Sequence, residues 1–191
     1  MSVVILLLRA VNVGGHAVIK MADLRSLFES LKFRDTQTYV QSGKAVFRAD
    51  EKDLEKLAKR IQGAIAKKFG FAPGVVLRTT AEMRDVIARC PFAKRKGIEP
   101  NKLHVSFLDT RLQEHACEQL CALPVKPEEL IPGSAELFLY FPNGAGKSRL
   151  PWAKVDRICG TRGTARNWNT VTKLLAMAEA LESAESTKKR P

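Results

Sequence analysis

The run Val3-Val-Ile-Leu-Leu-Leu8 is uninterrupted by any polar residue and stops abruptly at Arg9. A stretch this short and this uniformly apolar has no face to offer water, so it predicts a central strand buried on both faces. Such a strand needs neighbours in its own sheet and cover above and below. The rest of the chain must therefore supply further strands and amphipathic helices.

The pattern downstream supplies both. Asn12–His16 reads as a turn, and Met21, Leu24, Leu27, Phe28 and Leu31 follow the 3.6-residue helical period. Thr36–Val40 and Ala45–Arg48 read as a hairpin across Gln41-Ser-Gly-Lys44. Asp50 is the expected N-cap of a long helix striped by Leu54, Leu57, Ile61, Ile65 and Phe69. Val75–Arg78 is a short strand, and Thr80 is the expected cap of a helix carrying Met83, Val86 and Ile87. The order is βαββαβ followed by a helix, the split βαβ or ferredoxin-like plan.

After Cys90-Pro91 the same plan returns more loosely. Lys102–Leu108 alternates as a strand and Gln113–Leu120 reads as a short helix. Strands are expected at Glu129–Ile131 and Glu136–Phe141, a helix at Ser148–Ile158, a strand at Thr164–Arg166 and a closing helix at Trp168–Leu181. The expected fold class is α+β, with two ferredoxin-like halves whose mainly antiparallel sheets are covered by helices. The halves are expected at residues 1–92 and 102–183, joined by a linker at 93–101 and followed by a frayed tail at 184–191.

Charge narrows the partners. The chain carries a net charge of +12 over 191 residues. Between Gly144 and Lys173 stand seven basic residues and a single acid, Asp156. Such a surface draws phosphates, acidic metabolites or nucleic acid by long-range Coulomb attraction, although Lys and Arg also serve simply to solubilise. The N-terminus has no secretory signal pattern and nothing approaches the length of a membrane span, so a soluble, cytoplasmic protein is expected. Cys90, Cys117, Cys121 and Cys159 lack metal-site spacing and read as reduced thiols, with no metal or cofactor implied.

Four segments carry a family resemblance: Leu-Leu-Arg9-Ala-Val-Asn12-Val-Gly14-Gly15, Tyr39-Val-Gln-Ser42-Gly43, Phe141-Pro-Asn143-Gly144 and Thr164-Ala-Arg166-Asn167-Trp168. In this order they resemble the bacterial domain-of-unknown-function family 1697, from about Val3 to about Leu181. The resemblance implies an α+β fold with two related halves and no established activity. Two departures stand out: the family usually has Gly where Ala10 stands, and Asn where Lys44 follows Ser-Gly.

Candidate binding groups fall at strand ends. Arg9, Asn12, Gly14 and Gly15 follow the first strand, and consecutive glycine amides there could form an anion-binding nest, or simply a turn. Ser42 and Gly43 occupy the hairpin turn. Gly144-Ala-Gly-Lys147-Ser148 follows a strand and precedes a helix, as in a phosphate loop, but Phe141 stands where the full signature needs glycine. A simpler anion site using Lys147 and the Ser148 hydroxyl is expected there. Arg166 and Asn167 combine a donor fork with an amide, and equally suit packing and capping. If the halves are related by an approximate two-fold axis, the Arg9 and Arg166 strand ends would line one cleft for an anion.

Catalytic residues are not assignable. Ser42 lacks an elbow motif, and of the three histidines only His16 is placed for acid–base work. The function expected is a non-catalytic binding module for an anionic, phosphorylated ligand or a nucleotide. The alternatives are an enzyme acting on a phosphate-bearing small molecule and an RNA-binding protein. The oligomeric state is open, with a monomer favoured.

Overall fold

The computed structural model describes residues 1–12, 17–40 and 43–188. Strands β1 (Ser2–Arg9), β2 (Arg34–Thr38), β3 (Lys44–Ala49) and β4 (Gly74–Thr79) alternate with helices α1 (Met21–Ser30), α2 (Leu54–Phe69) and α3 (Thr80–Arg89). Then come β5 (Leu103–Phe107), α4 (Glu114–Cys121), β6 (Glu129–Pro132), β7 (Glu136–Tyr140), α5 (Trp152–Cys159), β8 (Thr164–Asn167) and α6 (Trp168–Lys188). Each half forms a four-stranded sheet, ordered β2-β3-β1-β4 and β6-β7-β5-β8. All strand pairings are antiparallel. Both sheets thus repeat one order, second-third-first-fourth, and the fold is α+β with two similar ferredoxin-like halves.

The chain divides into two compact units, residues 1–84 with 173–191, and residues 85–172. In the first, β1 lies between β3 and β4, and Val3 through Leu8 are all buried. Burying each such side chain contributes roughly 1.5–3 kcal/mol, which makes this strand the anchor of its unit. Val4, Leu6 and Leu8 join Leu24, Phe28, Phe47, Leu57, Ile61 and Ile65 in one core beneath α1 and α2. Phe28, Phe33 and Phe47 pack ring on ring, with centroids 4.6–5.4 Å apart. On β3, the buried Arg48 is held by hydrogen bonds: Nε donates to Asp35 Oδ2 at 2.9 Å and Nη2 to the Leu181 carbonyl of α6 at 2.5 Å.

Caps set the helix starts. Asp53, rather than Asp50, caps α2, its Oδ1 accepting from the Glu55 and Lys56 amides. Thr79, rather than Thr80, opens α3 through a capping box: Thr79 Oγ1 accepts from the Glu82 amide and Glu82 Oε2 from the Thr79 amide.

In the second unit, the helix-covered core holds Leu120, Leu123, Leu130, Leu137, Leu139, Phe141, Leu150 and Val155. Glu136, only 2 % exposed, is held by Arg89 Nη1 at 2.8 Å and by the Ser134 and Ala135 amides. Arg95 makes a two-pronged pair with Glu129, which ties the turn after α3 to β6. No helix among the described residues is long and apolar enough to cross a membrane.

Candidate functional site

At the end of β1 the residues singled out from sequence have structural tasks. Arg9 pairs in register with Gly74, and a Cβ at Gly74 would stand 2.7 Å from Arg9 Cζ. The guanidinium therefore lies across the start of β4, over a glycine that leaves it room. Asn12 uses both ends of its amide on one residue, Nδ2 donating to the Ile19 carbonyl at 3.0 Å and Oδ1 accepting from the Ile19 amide at 2.7 Å. The side chain thus pairs with the Ile19 backbone as a strand partner would.

The Gly43 carbonyl accepts from the Leu8 amide at 2.8 Å, and its φ of 65° lies in the left-handed region. Lys44 is only 7 % exposed, with Nζ 5.5 Å above the Tyr39 ring. Ala10, Asn12, Ala17 and Val40 also have positive φ at this end of the sheet, as Lys32 and Asp35 do around the start of β2. At Ala10, φ is 56°, which accounts physically for a preference for glycine there. Gly14, Gly15, His16 and Ser42 lie outside the described residues.

At β8, Asn167 caps α6 by accepting from the Thr170 amide at 2.9 Å. Arg166 Nη1 donates to the Ala165 carbonyl at 2.7 Å. Burial pushes its pKa down to about 10, so it remains a cation at neutral pH. Across the ladder from Asn167 stands His104, edge-on to Phe141 at 5.1 Å, and burial lowers its pKa.

The segment after β7 departs from the expected phosphate loop. Ala145–Lys147 is a single 3-10 turn entered through Gly144 at φ 85°, and α5 begins only at Trp152, behind Pro151. Ser148 is therefore not at a helix N-terminus. Its hydroxyl donates to Glu128 Oε2 at 3.2 Å and accepts from the Leu150 amide. The other Glu128 oxygen accepts from the Arg149 amide at 2.8 Å. Glu128 is 7 % exposed, so a buried carboxylate straps this turn to the segment before β6.

The strapped turn forms one wall of a groove of about 650 Å³. Asn101, Lys102, Glu128, Asn143, Gly144, Lys147 and Arg149 line it, with Pro127 and Pro142. Lys102 Nζ pairs with Glu99 at 2.7 Å, and that bond raises its pKa. Lys147 and Arg149 are exposed and have no ion-pair partner among the described residues. Of the nine positions singled out from sequence, Lys147 lines the groove, while Arg166 and Asn167 do not.

Asn101, Lys102, Glu128 and Arg149 were not singled out. Arg149 lay inside the basic run, but nothing local marks the other three. The groove offers cations and side-chain amides, groups of the chemical type that can hydrogen-bond an anion. It has no nucleophile paired with a base. Among the described residues no group of His, Cys, Asp or Glu is arranged to hold a metal ion, and the four cysteines are free thiols.

Fold and groove together define an α+β protein of two ferredoxin-like halves with a cation-lined depression on the second. The family model for a protein of unknown function (DUF1697) matches residues 1–138, and the chain belongs to that family. Its fold is similar to the solved structure of a conserved bacterial protein from Streptococcus pneumoniae. The TM-score is 0.75 at 21% identity, covering 93% of this chain and 98% of that one. No curated protein matches the chain.

Proposed function

We propose that this protein is a non-catalytic binding module for a small phosphate-bearing molecule, held in the groove beside the Gly144–Ser148 turn. The observation that carries this reading is the state of the charges there. Lys147 and Arg149 have no ion-pair partner among the described residues, whereas both oxygens of the one lining carboxylate, Glu128, already accept hydrogen bonds. The groove therefore presents two cations that its one carboxylate does not pair. Its volume of about 650 Å³ falls within the range of small-molecule sites. The net charge of +12 adds a long-range attraction that salt screens.

A thermal-shift panel of phosphorylated sugars, nucleotides and inorganic phosphate, run at low and high salt, tests the reading. A ligand present at a hundred times its Kd should raise Tm by about 5–10 °C. The shift should shrink in salt and vanish in the variant Lys147→Ala/Arg149→Ala. A panel with no response, or a variant that keeps the full response, would overturn the assignment.

A further inference from the structure

A second depression of about 810 Å³ lies along α4 and α5, separate from the cationic groove. Leu123, Trp152 and Ile158 form its apolar floor and walls, with Lys154, Arg157 and Gln119 at its margin. Trp152 is 37 % exposed and stands at the first turn of α5, where the chain leaves Pro151. Trp is enriched among the residues that anchor protein interfaces, and here it stands beside a recess with an apolar floor. Neither Lys154 nor Arg157 has an ion-pair partner among the described residues; the nearby Asp156 faces Arg162 instead, at 3.9 Å.

We infer that this face docks a short acidic, amphipathic segment of another protein. Its bulky apolar side chain would pack against Trp152, Leu123 and Ile158, and its carboxylates would face Lys154 and Arg157. Charge complementarity selects this occupant. A second copy of the chain would bring another +12 against the same basic surface. A nucleic-acid strand would find cations at the margin, but it would leave Leu123 and Ile158 under a charged backbone with one aromatic ring for stacking. An acidic amphipathic helix matches both the apolar floor and the charged margin.

The test is selection of a displayed random-dodecamer library on the full chain, with counter-selection on Trp152→Ala. Enriched peptides should combine acidic residues with a bulky apolar side chain at helical spacing. Synthesised with a fluorophore, they should bind about tenfold more weakly to Trp152→Ala and to Lys154→Gln/Arg157→Gln. Binding should be unchanged in Lys147→Ala/Arg149→Ala, which separates this surface from the proposed anion groove. Circular dichroism melts of each variant confirm that the fold is retained. Failure to enrich any peptide, enrichment of basic peptides, equal binding to Trp152→Ala, or tighter binding of a single-stranded RNA dodecamer at the same residues would overturn the inference.

Discussion

Gly43 and Gly70 make a matched pair for separating backbone strain from steric collision. Both sit in the left-handed region, at φ 65° and 80°. A Cβ at Gly70, the C-cap of α2, would meet nothing within 4 Å, whereas one at Gly43 would stand 2.9 Å from Leu8 Cβ and 3.3 Å from Val11 Cβ. Holding an L-residue in this region costs about 1–2 kcal/mol. The stiffer unfolded chain of alanine returns about 0.4–1 kcal/mol. Gly70→Ala should therefore destabilise by roughly 0–1.5 kcal/mol. Gly43→Ala adds an overpacking cost of about 1–3 kcal/mol, because Leu8 belongs to a strand that cannot move aside. The gap between the two variants should amount to roughly 2–12 °C in Tm. Urea unfolding and calorimetry of both variants measure it. Equal destabilisation would refute the claim that Gly43 is kept by close packing on β1.

Replacing Asp53 with Ala removes the acceptor for two amides at the start of α2, and should lower stability by about 1 kcal/mol, read from urea midpoints. His104 has its folded pKa below the unfolded value, so the unfolded chain takes its proton first as pH falls. The associated stability is thus complete above about pH 6.5 and declines below it; the variant His104→Leu should show a flatter dependence between pH 7 and 5, and identical slopes would contradict this. With a thiol reagent at pH 8, exposed Cys121 should react first. Cys159, pushed up to about 11 mainly by burial, should react only slowly until the protein unfolds, and early labelling of Cys159 by mass spectrometry would contradict that.

Legibility in the sequence followed the range of the interaction. The apolar run at Val3–Leu8 announced a strand covered on both faces, and the alternation of periods announced the repeated βαββαβ order, because both are local patterns. Cap positions slipped by one to three residues where several candidates stood together, as with Asp50 and Asp53 or Thr79 and Thr80. The start of α5 was misread for a different reason. Ser148 is a good N-cap in isolation, but its hydroxyl is taken by Glu128, twenty residues upstream, and Pro151 sets the helix start instead.

The groove shows the same division. Lys147, directly after Gly146 in a basic run, was visible. Lys102 and Glu128 reach it from the starts of other strands, and only the sheet order brings them there. Asn12 and Asn167 looked like ligand groups because their residue types suit recognition. Their amides have backbone partners instead: Asn167 takes the capping role its place before the last helix allowed, whereas the Ile19 partner of Asn12 is announced by no local pattern.

The central claim, that an anion binds beside the Gly144–Ser148 turn, is tested most directly by mapping amide chemical shifts. The ¹H–¹⁵N NMR spectrum of the full chain would be titrated with the strongest phosphorylated compound from the thermal-shift panel. Anion binding there should give saturable shifts concentrated at Lys102, Asn143, Gly144, Lys147 and Arg149, absent from Lys147→Ala/Arg149→Ala. Saturable shifts confined to residues outside this groove, or none at all, would contradict it.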